Sequence, residues 1–385
     1  MEEEFIRPRL AALLEHFSEL GDGRDRWRIA YPLEEVLLLV TCATICTCDD
    51  FEDIVAWGET HIEFLRQFSE YHFGIPCARW LRDLLNRVDP DLFAKCFGDW
   101  ITSLWPGRPD NIAIDGKTAR RTHDHSKGRK ALHTLSAYAT NARLVLTQAS
   151  VPEKANEITA IPELLDQLAE AGQLKGAVVT IDAMGCQYEI ADKIVGHGAD
   201  YILTVKGNQP TLEAGIISYF DTAPAEKCVT FTTTEKEHGR LEIRKYIASQ
   251  EVGWLTSPGK DAESPKFSSV KTILRVVSQV ERKDKVSIEN RHYISSATLT
   301  IERLAEAVRG HWTIENQVHW VLDVGFNDDL ARYRVPNGAK NMAAVRRFAL
   351  NLVRGHPSKN SIKVKRKRAG WSIDFLLEVL QIKPR

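Results

Sequence analysis

The chain has 385 residues, with 51 Lys and Arg against 52 Asp and Glu, and 43% of its residues are hydrophobic. This composition is typical of a globular protein, and it excludes collagen-like, coiled-coil and disordered chains. At about 150 residues per domain, the length indicates two or three structural units.

Neither a membrane span nor a secretory signal is expected. The longest nearly uncharged apolar stretch, residues 36–48, is shorter than the roughly 20 residues that a membrane helix needs. Residues 2–4 are all Glu, where a signal peptide would be basic. The seven cysteines fit reduced thiols, and Cys42, Cys46 and Cys48 lack the paired spacing of a zinc site. We therefore expect a cytoplasmic protein.

The charges are segregated along the chain. Residues 1–110 hold 11 Lys and Arg against 21 Asp and Glu, a net charge of −10, whereas residues 111–385 carry +9. Residues 331–385 contain 14 bases and two acids. Clustered bases gain affinity for nucleic acid by releasing phosphate counterions, so residues 111–385 are predicted to bind a polyanion. The alternative is a solvated basic tail.

Residues 1–105 are predicted to form an all-α accessory domain. Apolar residues recur at helical spacing over 10–17, Pro32 is typical of a helix start, and residues 89–100 read as a further helix. No catalytic constellation occurs there.

The net negative charge of this domain predicts that it is not the main DNA-binding surface, because phosphate would be repelled. We expect the domain to fold alone and to dock on the basic half or on a second protomer. The competing hypothesis is that it reads DNA through a local basic face at Arg24, Arg26 and Arg28.

From residue 106 the pattern becomes mixed α/β. The predicted strands lie at 111–115, 132–140, 144–151, 177–182 and 201–205, with helices between the later ones. Three strands followed by alternating helices and strands is the order of an RNase H-like fold. We therefore predict a catalytic domain of this class over residues 106–355.

Two further segments complete the predicted organisation. The β-branched and alternating runs around residues 226–297 indicate a β-rich insertion, after which a long helix is expected from about 300 to 321. Residues 356–385 are predicted to be a basic C-terminal tail.

Two aspartates directly follow predicted strands. Asp115 and Asp182 each end an apolar run, and ligands collect at strand ends in open α/β sheets. Oxygen ligands suit divalent cations that promote phosphodiester cleavage. The alternative is a turn or helix-capping role for each aspartate.

A cation site of this kind needs a third carboxylate, and the residues alone do not identify it. The candidates on or after the long helix are Glu315, Asp323, Asp328 and Asp329. Glu315 has histidines four residues before and after it on the same helix face. An exposed, helix-stabilising glutamate is an equal alternative.

Six segments resemble, in order, motifs of the H-repeat-associated insertion-sequence transposases. They are 111–118 (NIAIDGKT), 154–158 (KANEI), 180–187 (TIDAMGCQ), 200–209 (DYILTVKGNQ), 238–244 (HGRLEIR) and 311–324 (HWTIENQVHWVLDV). This family belongs to the DDE superfamily, which has an RNase H-like core. The resemblance covers nearly the whole chain and implies that Asp115, Asp182 and Glu315 are the metal-binding catalytic triad. The implied cofactor is Mg²⁺, with Mn²⁺ as a substitute.

The sequence also departs from the family pattern. Ala155 stands where the family usually has Ser. Related transposases carry Tyr, Arg and Lys around the catalytic Glu, where this chain has Val308, His311 and Leu322. The DNA-end contacts of that signature are therefore not transferred.

DNA contacts are predicted for polar residues near the triad and for the C-terminal basic run. They are Lys117, Arg120, Lys206, Asn208, Gln209, His311, Lys365, Arg366, Lys367 and Arg368. The alternative for several of them is a turn or a solvated surface.

The sequence thus predicts a DNA transposase of an insertion sequence, nucleoid-associated in bacteria when bound to DNA. It is expected to cleave phosphodiesters at element ends and to transfer the 3′-OH into target DNA. Its partners would be double-stranded DNA, at terminal repeats and targets, and a second copy of the chain. The alternatives are a metal-dependent nuclease without strand transfer and a catalytically silent DNA-binding remnant.

Overall fold

The computed structural model describes residues 7–20, 22, 24, 29–105, 107–152, 155–237, 240–256, 267–282 and 285–380, without the side chains of 7–12, 104, 237 and 256. Arg26, Arg28 and residues 238–239 of one motif lie outside the described residues. In the described part, no helix is both long and apolar enough to cross a bilayer.

The N-terminal part is helical, as predicted from its periodicity. Its helices are α1 (Arg7–Ser18), α2 (Leu33–Ile45), α3 (Phe51–Thr60), α4 (Ile62–Leu65), α5 (Ala78–Leu85) and α6 (Pro90–Leu104). The Asp50 and Asp89 side chains cap α3 and α6 by accepting backbone N–H bonds, and Pro90 occupies the first turn of α6. Helix α2 is buried almost throughout, so it forms the centre of this part.

The second part contains a mixed sheet whose first five strands fit an RNase H-like core. These are β1 (Asn111–Ala119), β2 (Leu132–Ala139), β3 (Leu144–Ser150), β4 (Val178–Ile181) and β5 (Asp200–Val205). Strands β1, β4 and β5 are parallel, β2 pairs antiparallel with β1, and β3 pairs antiparallel with β2. The helices between them are α7 (Glu157–Glu170), α8 (Tyr188–Gly196) and, after β5, α9 (Pro210–Thr222).

The predicted β insertion extends this same sheet. Its elements are β6 (Val229–Glu237), β7 (Arg240–Ser249), the short α10 (Gly253–Thr256), β8 (Thr272–Arg282) and β9 (Lys285–Ser295). Strand β9 pairs with β5, which gives the order β3-β2-β1-β4-β5-β9-β8-β7-β6. A single nine-stranded sheet therefore runs from the core into the insertion.

The last helices cover the sheet and join it to the N-terminal part. They are α11 (Ile301–His311), α12 (Trp320–Phe326), α13 (Pro336–Gly355), α14 (Ile362–Trp371) and α15 (Ile373–Leu380). Helix α13 carries Phe348, whose ring contacts Phe97 and Trp100 of α6, with centroids 4.3 and 4.9 Å apart. Asn351 of the same helix bonds the backbone of Val145 in β3. One apolar core thus spans both parts.

The segment predicted to be a basic tail is folded. Helices α14 and α15 occupy residues 362–380, and α15 buries Phe375, Leu376 and Val379. An apolar helix at the end of the chain needs a core to pack against, which a solvated tail does not have.

Candidate active site

The strand register places Asp115 and Asp182 side by side. Ile114 of β1 is paired with Ile181 of the parallel strand β4, so the two aspartates occupy the next positions of neighbouring strands. Because side chains alternate along a strand, both aspartates lie on the face of Thr180, which is covered by α11. The predicted proximity of the two aspartates follows from this register. The predicted end of the first strand at Asp115 is wrong, because pairing with β2 extends β1 to Ala119.

A tight turn after β4 holds Asp182. Its carboxylate accepts the backbone N–H groups of Met184 and Gly185, at 3.0 and 3.4 Å. This is the helix-capping role that the sequence left open, and it fixes one carboxylate oxygen in place.

A widened helical turn carries Glu315. Residues 315–319 form a π-helical turn in which the Trp320 N–H donates to the Glu315 carbonyl oxygen, so the predicted long helix contains one widened turn. His319 of this turn has its Nδ1 3.5 Å from an Asp115 carboxylate oxygen. The exposed Glu315 carboxylate acts electrostatically on Asp115. Glu315 is therefore close enough to Asp115 for their charges to interact. Such π turns are frequent at functional sites.

A fourth carboxylate, Glu157, joins the site. It begins α7, and its Oε1 lies 2.7 Å from Nε2 of His133, whose Nδ1 is 2.7 Å from the Thr118 hydroxyl. Gly116 permits this approach, because a Cβ there would lie 2.2 Å from the Glu157 carboxylate. A helix-initiating glutamate ordinarily interacts with the helix dipole, so Glu157 was not among the predicted site residues, although it lies in the motif at 154–158.

Burial and neighbouring carboxylates raise the pKa values of the two aspartates. Burial raises the pKa of Asp115 to about 7, and the charges of Asp182, Glu157 and Glu315 add to this effect. The pKa of Asp182 is raised by burial and by Glu157, against the lowering effect of its backbone hydrogen bonds and of Lys206. His319 is neutral, because burial beside Arg347 lowers its pKa to about 3. These groups form a concentration of negative charge with little compensation.

The other candidates for the third carboxylate have internal partners. The buried Lys117 ammonium lies 2.6, 3.5 and 3.4 Å from carboxylate oxygens of Asp323, Asp328 and Asp329. No ion pair of Glu315 occurs among the described residues. Of the four candidates, Glu315 is therefore the one that lacks an ion-pair partner among the described residues and whose charge acts on Asp115.

The donor set fits a hard divalent cation. Carboxylate oxygens are its preferred ligands, and repulsion between these buried acids would fall when a cation binds. As they stand in the described part of the chain, no three His, Cys, Asp or Glu side chains are arranged to hold a metal ion. Binding would therefore draw the carboxylates closer together.

Several predicted DNA contacts lie at the surface near the site. Arg120 is 81% exposed, and its Nε is 3.3 Å from Asp329. Lys206 is exposed, and it is close enough to Asp182 to lower the pKa of that residue. Asn208 and Gln209 donate to the carbonyl oxygens of Ala183 and Cys186, so they brace the turn after β4.

Four predicted contacts have internal roles and are corrected. Lys117 is buried in the carboxylate cluster described above, and His311 is buried against the Thr180 hydroxyl at 3.1 Å. Lys365 donates to the His356 carbonyl oxygen, and Arg366 donates to those of Thr44 and Gly325. Lys367 and Arg368 remain exposed on α14.

This fold and the acids on its neighbouring strands indicate the class of the protein, and comparison with known families agrees. Residues 106–352 match the family described as "Transposase DDE domain", and residues 14–101 match the one described as "DDE_Tnp_1-associated". The chain belongs to the DDE transposase family.

Relatives over nearly the full length confirm the predicted resemblance. The H repeat-associated putative transposase YhhI of Escherichia coli (strain K12) is 37% identical over 96% of this chain and 98% of its own. Putative protein YbfL of the same organism is 36% identical over the same shares. A solved piggyBac transposase synaptic complex with hairpin DNA aligns at 10% identity and a TM-score of 0.38, covering 97% of this chain and 79% of that chain.

Proposed function

We propose that the protein is a metal-dependent DNA transposase that cleaves phosphodiesters at the ends of its element and transfers the freed 3′-OH into target DNA. The observation that carries the proposal is the adjacency of Asp115 in β1 and Asp182 directly after β4, with the charge of Glu315 acting on Asp115. Membership of the DDE transposase family supports the same reaction class.

Each step exchanges one bond to phosphorus for another. In cleavage, a water oxygen bonds to phosphorus, the 3′ oxygen leaves, and it receives a proton. In strand transfer, that 3′-OH oxygen attacks a target phosphorus, and the target strand's own 3′ oxygen leaves. Neither step needs an oxidant or a covalent bond between protein and DNA.

The cofactor of the proposal is Mg²⁺, which Mn²⁺ would replace. Asp115, Asp182 and Glu315 would hold it, and the bound cation would stabilise negative charge that develops on the phosphate oxygens. The chain itself positions the acids: the backbone N–H groups after β4 orient Asp182, and neutral His319 lies beside Asp115.

Glu157 is proposed to support this site. The hydrogen bond from His133 fixes one of its oxygens, which leaves the other oxygen free to accept a proton or a water molecule. Its charge acts on both aspartates, so it favours cation binding between them.

The substrates of the proposal are double-stranded DNA ends and a target duplex. Two ends must be joined to one target, so a pair of protomers, each contributing one active site, is the assembly proposed.

The test uses purified full-length protein, Mg²⁺ and duplexes carrying the ends of the element that flanks the gene. Joined products support the transposase, cut ends alone would indicate a nuclease, and binding without cutting would indicate a silent remnant. Asp115→Asn, Asp182→Asn and Glu315→Gln should each abolish cleavage, because each removes a ligand charge with little change of volume.

These variants should keep most of their DNA affinity in a gel-shift assay. Glu302→Gln, at an exposed position of α11, is the matched control and should cleave normally. Near-normal cleavage by any triad variant would remove that residue from the proposed mechanism.

A further inference from the structure

A cleft opens beside the acidic site. Its volume is about 490 Å³, and its inner wall includes His133, Glu157 and Met184, the last of which lies two residues after Asp182. This volume lies within the range of ligand clefts, about 300–1,000 Å³. Of the four acids described above, Glu157 lines the cleft itself, and Met184 brings its wall to the turn that holds Asp182.

Four bases line the cleft, which we call the basic cleft: Arg129, Lys130, Arg334 and Lys340. They come from the loop before β2 and from the start of α13, so two separate segments bring positive charge to one place. Lys130 and Arg334 are exposed, and Arg129 and Lys340 are half-buried.

None of these bases forms a close ion pair. Among the residues that the structure describes, none of the four lies within 4 Å of a carboxylate oxygen, although Arg334 is near enough to Asp124 to help lower the pKa of that residue. Arg129 donates to the backbone oxygen of Arg334, at 3.3 Å, which joins the two walls of the cleft. Lys117 differs, because three acids surround it.

Between the bases lies an apolar wall. Val151, Pro152 and Ala155 line it, and Met184 is 44% exposed there. Sugar rings and base edges present apolar surface, and phosphates present charge. Walls of both kinds fit a sugar–phosphate backbone.

A basic cleft at this position would offset the repulsion between the acidic cluster and a phosphate. The cluster of Asp115, Asp182, Glu157 and Glu315 repels a phosphate, yet the scissile phosphate has to reach it. Bases flanking the path offset that repulsion and orient the strand. The predicted contacts Lys117 and His311 are buried and do not supply this charge at the surface.

We propose that the basic cleft binds the phosphates immediately next to the scissile bond on the strand that is cut, with Arg334 and Lys340 as principal contacts. This inference rests on the proposed function. It adds residues that neither the sequence motifs nor the triad identifies.

The test is a salt titration of DNA affinity with full-length protein in metal-free buffer, so that no cleavage occurs. The probe is a fluorescent duplex carrying one end of the element. Arg334→Ala/Lys340→Ala should reduce the slope of log affinity against log salt by about 2, since each lost phosphate contact contributes about 0.9.

The control variant is Lys175→Ala/Lys271→Ala. It removes the same charge from two exposed lysines that precede β4 and β8. These lysines lie at the ends of the strands that point away from Asp182. Its slope should match that of the wild type. The charge-conserving Arg334→Lys/Lys340→Arg should restore most of the slope, and thermal unfolding should show all variants folded.

Phosphate ethylation interference then locates the lost contacts, which should lie next to the cleaved bond. If the Ala variant keeps the wild-type slope, or if its lost contacts lie elsewhere, the basic cleft is not the binding site, although the proposed function stands. If the wild-type protein itself binds no DNA, the proposed function fails as well.

Discussion

Asp115 is a carboxyl group whose surroundings oppose its ionisation. Burial and three neighbouring acids raise its pKa to about 7, while an unfolded chain would give a value near 3.8. Between these two values the folded protein keeps a proton that the unfolded chain releases. Ionisation of Asp115 therefore costs more stability as the pH rises.

Asp115→Asn should remove this cost. In EDTA, the stability of the variant relative to the wild type should increase from about pH 5 to about pH 8, by about 3 kcal/mol. Urea unfolding of both proteins at both pH values measures this difference in the free energy of unfolding. Asp192→Asn, at an exposed position of α8, should show no such trend. A difference that is independent of pH would mean that Asp115 is ionised throughout.

Glu157 is predicted to act through its charge. Glu157→Gln should lower the pKa of both Asp115 and Asp182, because a negative neighbour disfavours their ionisation. Carboxyl ¹³C NMR titration of the metal-free protein measures both values. Glu163→Gln, at an exposed position of the same helix, should leave them unchanged. Unaltered aspartate titrations in the Glu157 variant would contradict this interpretation.

At the scale of elements, α14 combines a structural face with a basic one. Arg366 is buried, with its guanidinium 3.9 Å from the Phe326 ring, whereas Lys363 and Lys367 are exposed one turn apart. The helix therefore contributes to the core through one side and presents charge on the other.

Deletion and point substitution should separate these two roles. Removing residues 359–385 should destabilise the whole protein, because it exposes the core under α15, whereas Lys363→Ala/Lys367→Ala should leave the melting temperature within a few degrees. The double variant should flatten the salt dependence of DNA affinity if these lysines contact phosphate. Circular dichroism melting and fluorescence anisotropy measure the two effects. A truncated protein that melts like the wild type would show that α14 and α15 are dispensable.

The aspartates of the site and the basic residues of α14 show which features the sequence predicts and which it does not. The apolar runs before Asp115 and Asp182 were predictable as strands, because apolar runs and the acids that follow them are local signals. The continuation of β1 past Asp115 to Ala119 was not, because it depends on pairing with β2. The burial of Arg366 was not, because its acceptors, Thr44 and Gly325, are distant in sequence. Lys117 is similar, since its partners come from residues 323–329. Charge runs predict solvation unless tertiary partners are known.

At the scale of the whole molecule, the boundary between the two parts crosses a shared core. Phe348 of α13 packs among Phe17, Phe93, Phe97 and Trp100 of the N-terminal helices. This arrangement argues against the expectation from sequence that residues 1–105 fold alone.

Phe348→Ala should destabilise the entire protein by about 3–5 kcal/mol, because it opens a cavity where the two parts meet. Urea unfolding followed by tryptophan fluorescence and by far-UV circular dichroism should show coincident transitions. Phe73→Ala, at a position that is 60% exposed, should cost far less. An isolated fragment of residues 1–105 should lack cooperative unfolding. A sharp transition in that fragment would restore the view of an independent domain.

Because residues 315–319 form a widened turn, the position of the Glu315 carboxylate depends on the number of residues in that turn. Each residue of an α-helix turns the chain by about 100°, and a π turn holds one more residue than an α turn. Losing any one residue there would let the helix close regularly, with its packing kept and Glu315 rotated away from Asp115. A chain of this family could thus retain all three acids, in order, and still lack an assembled site. The number of residues between Glu315 and Phe326 is therefore as much a signature of the site as the acids themselves.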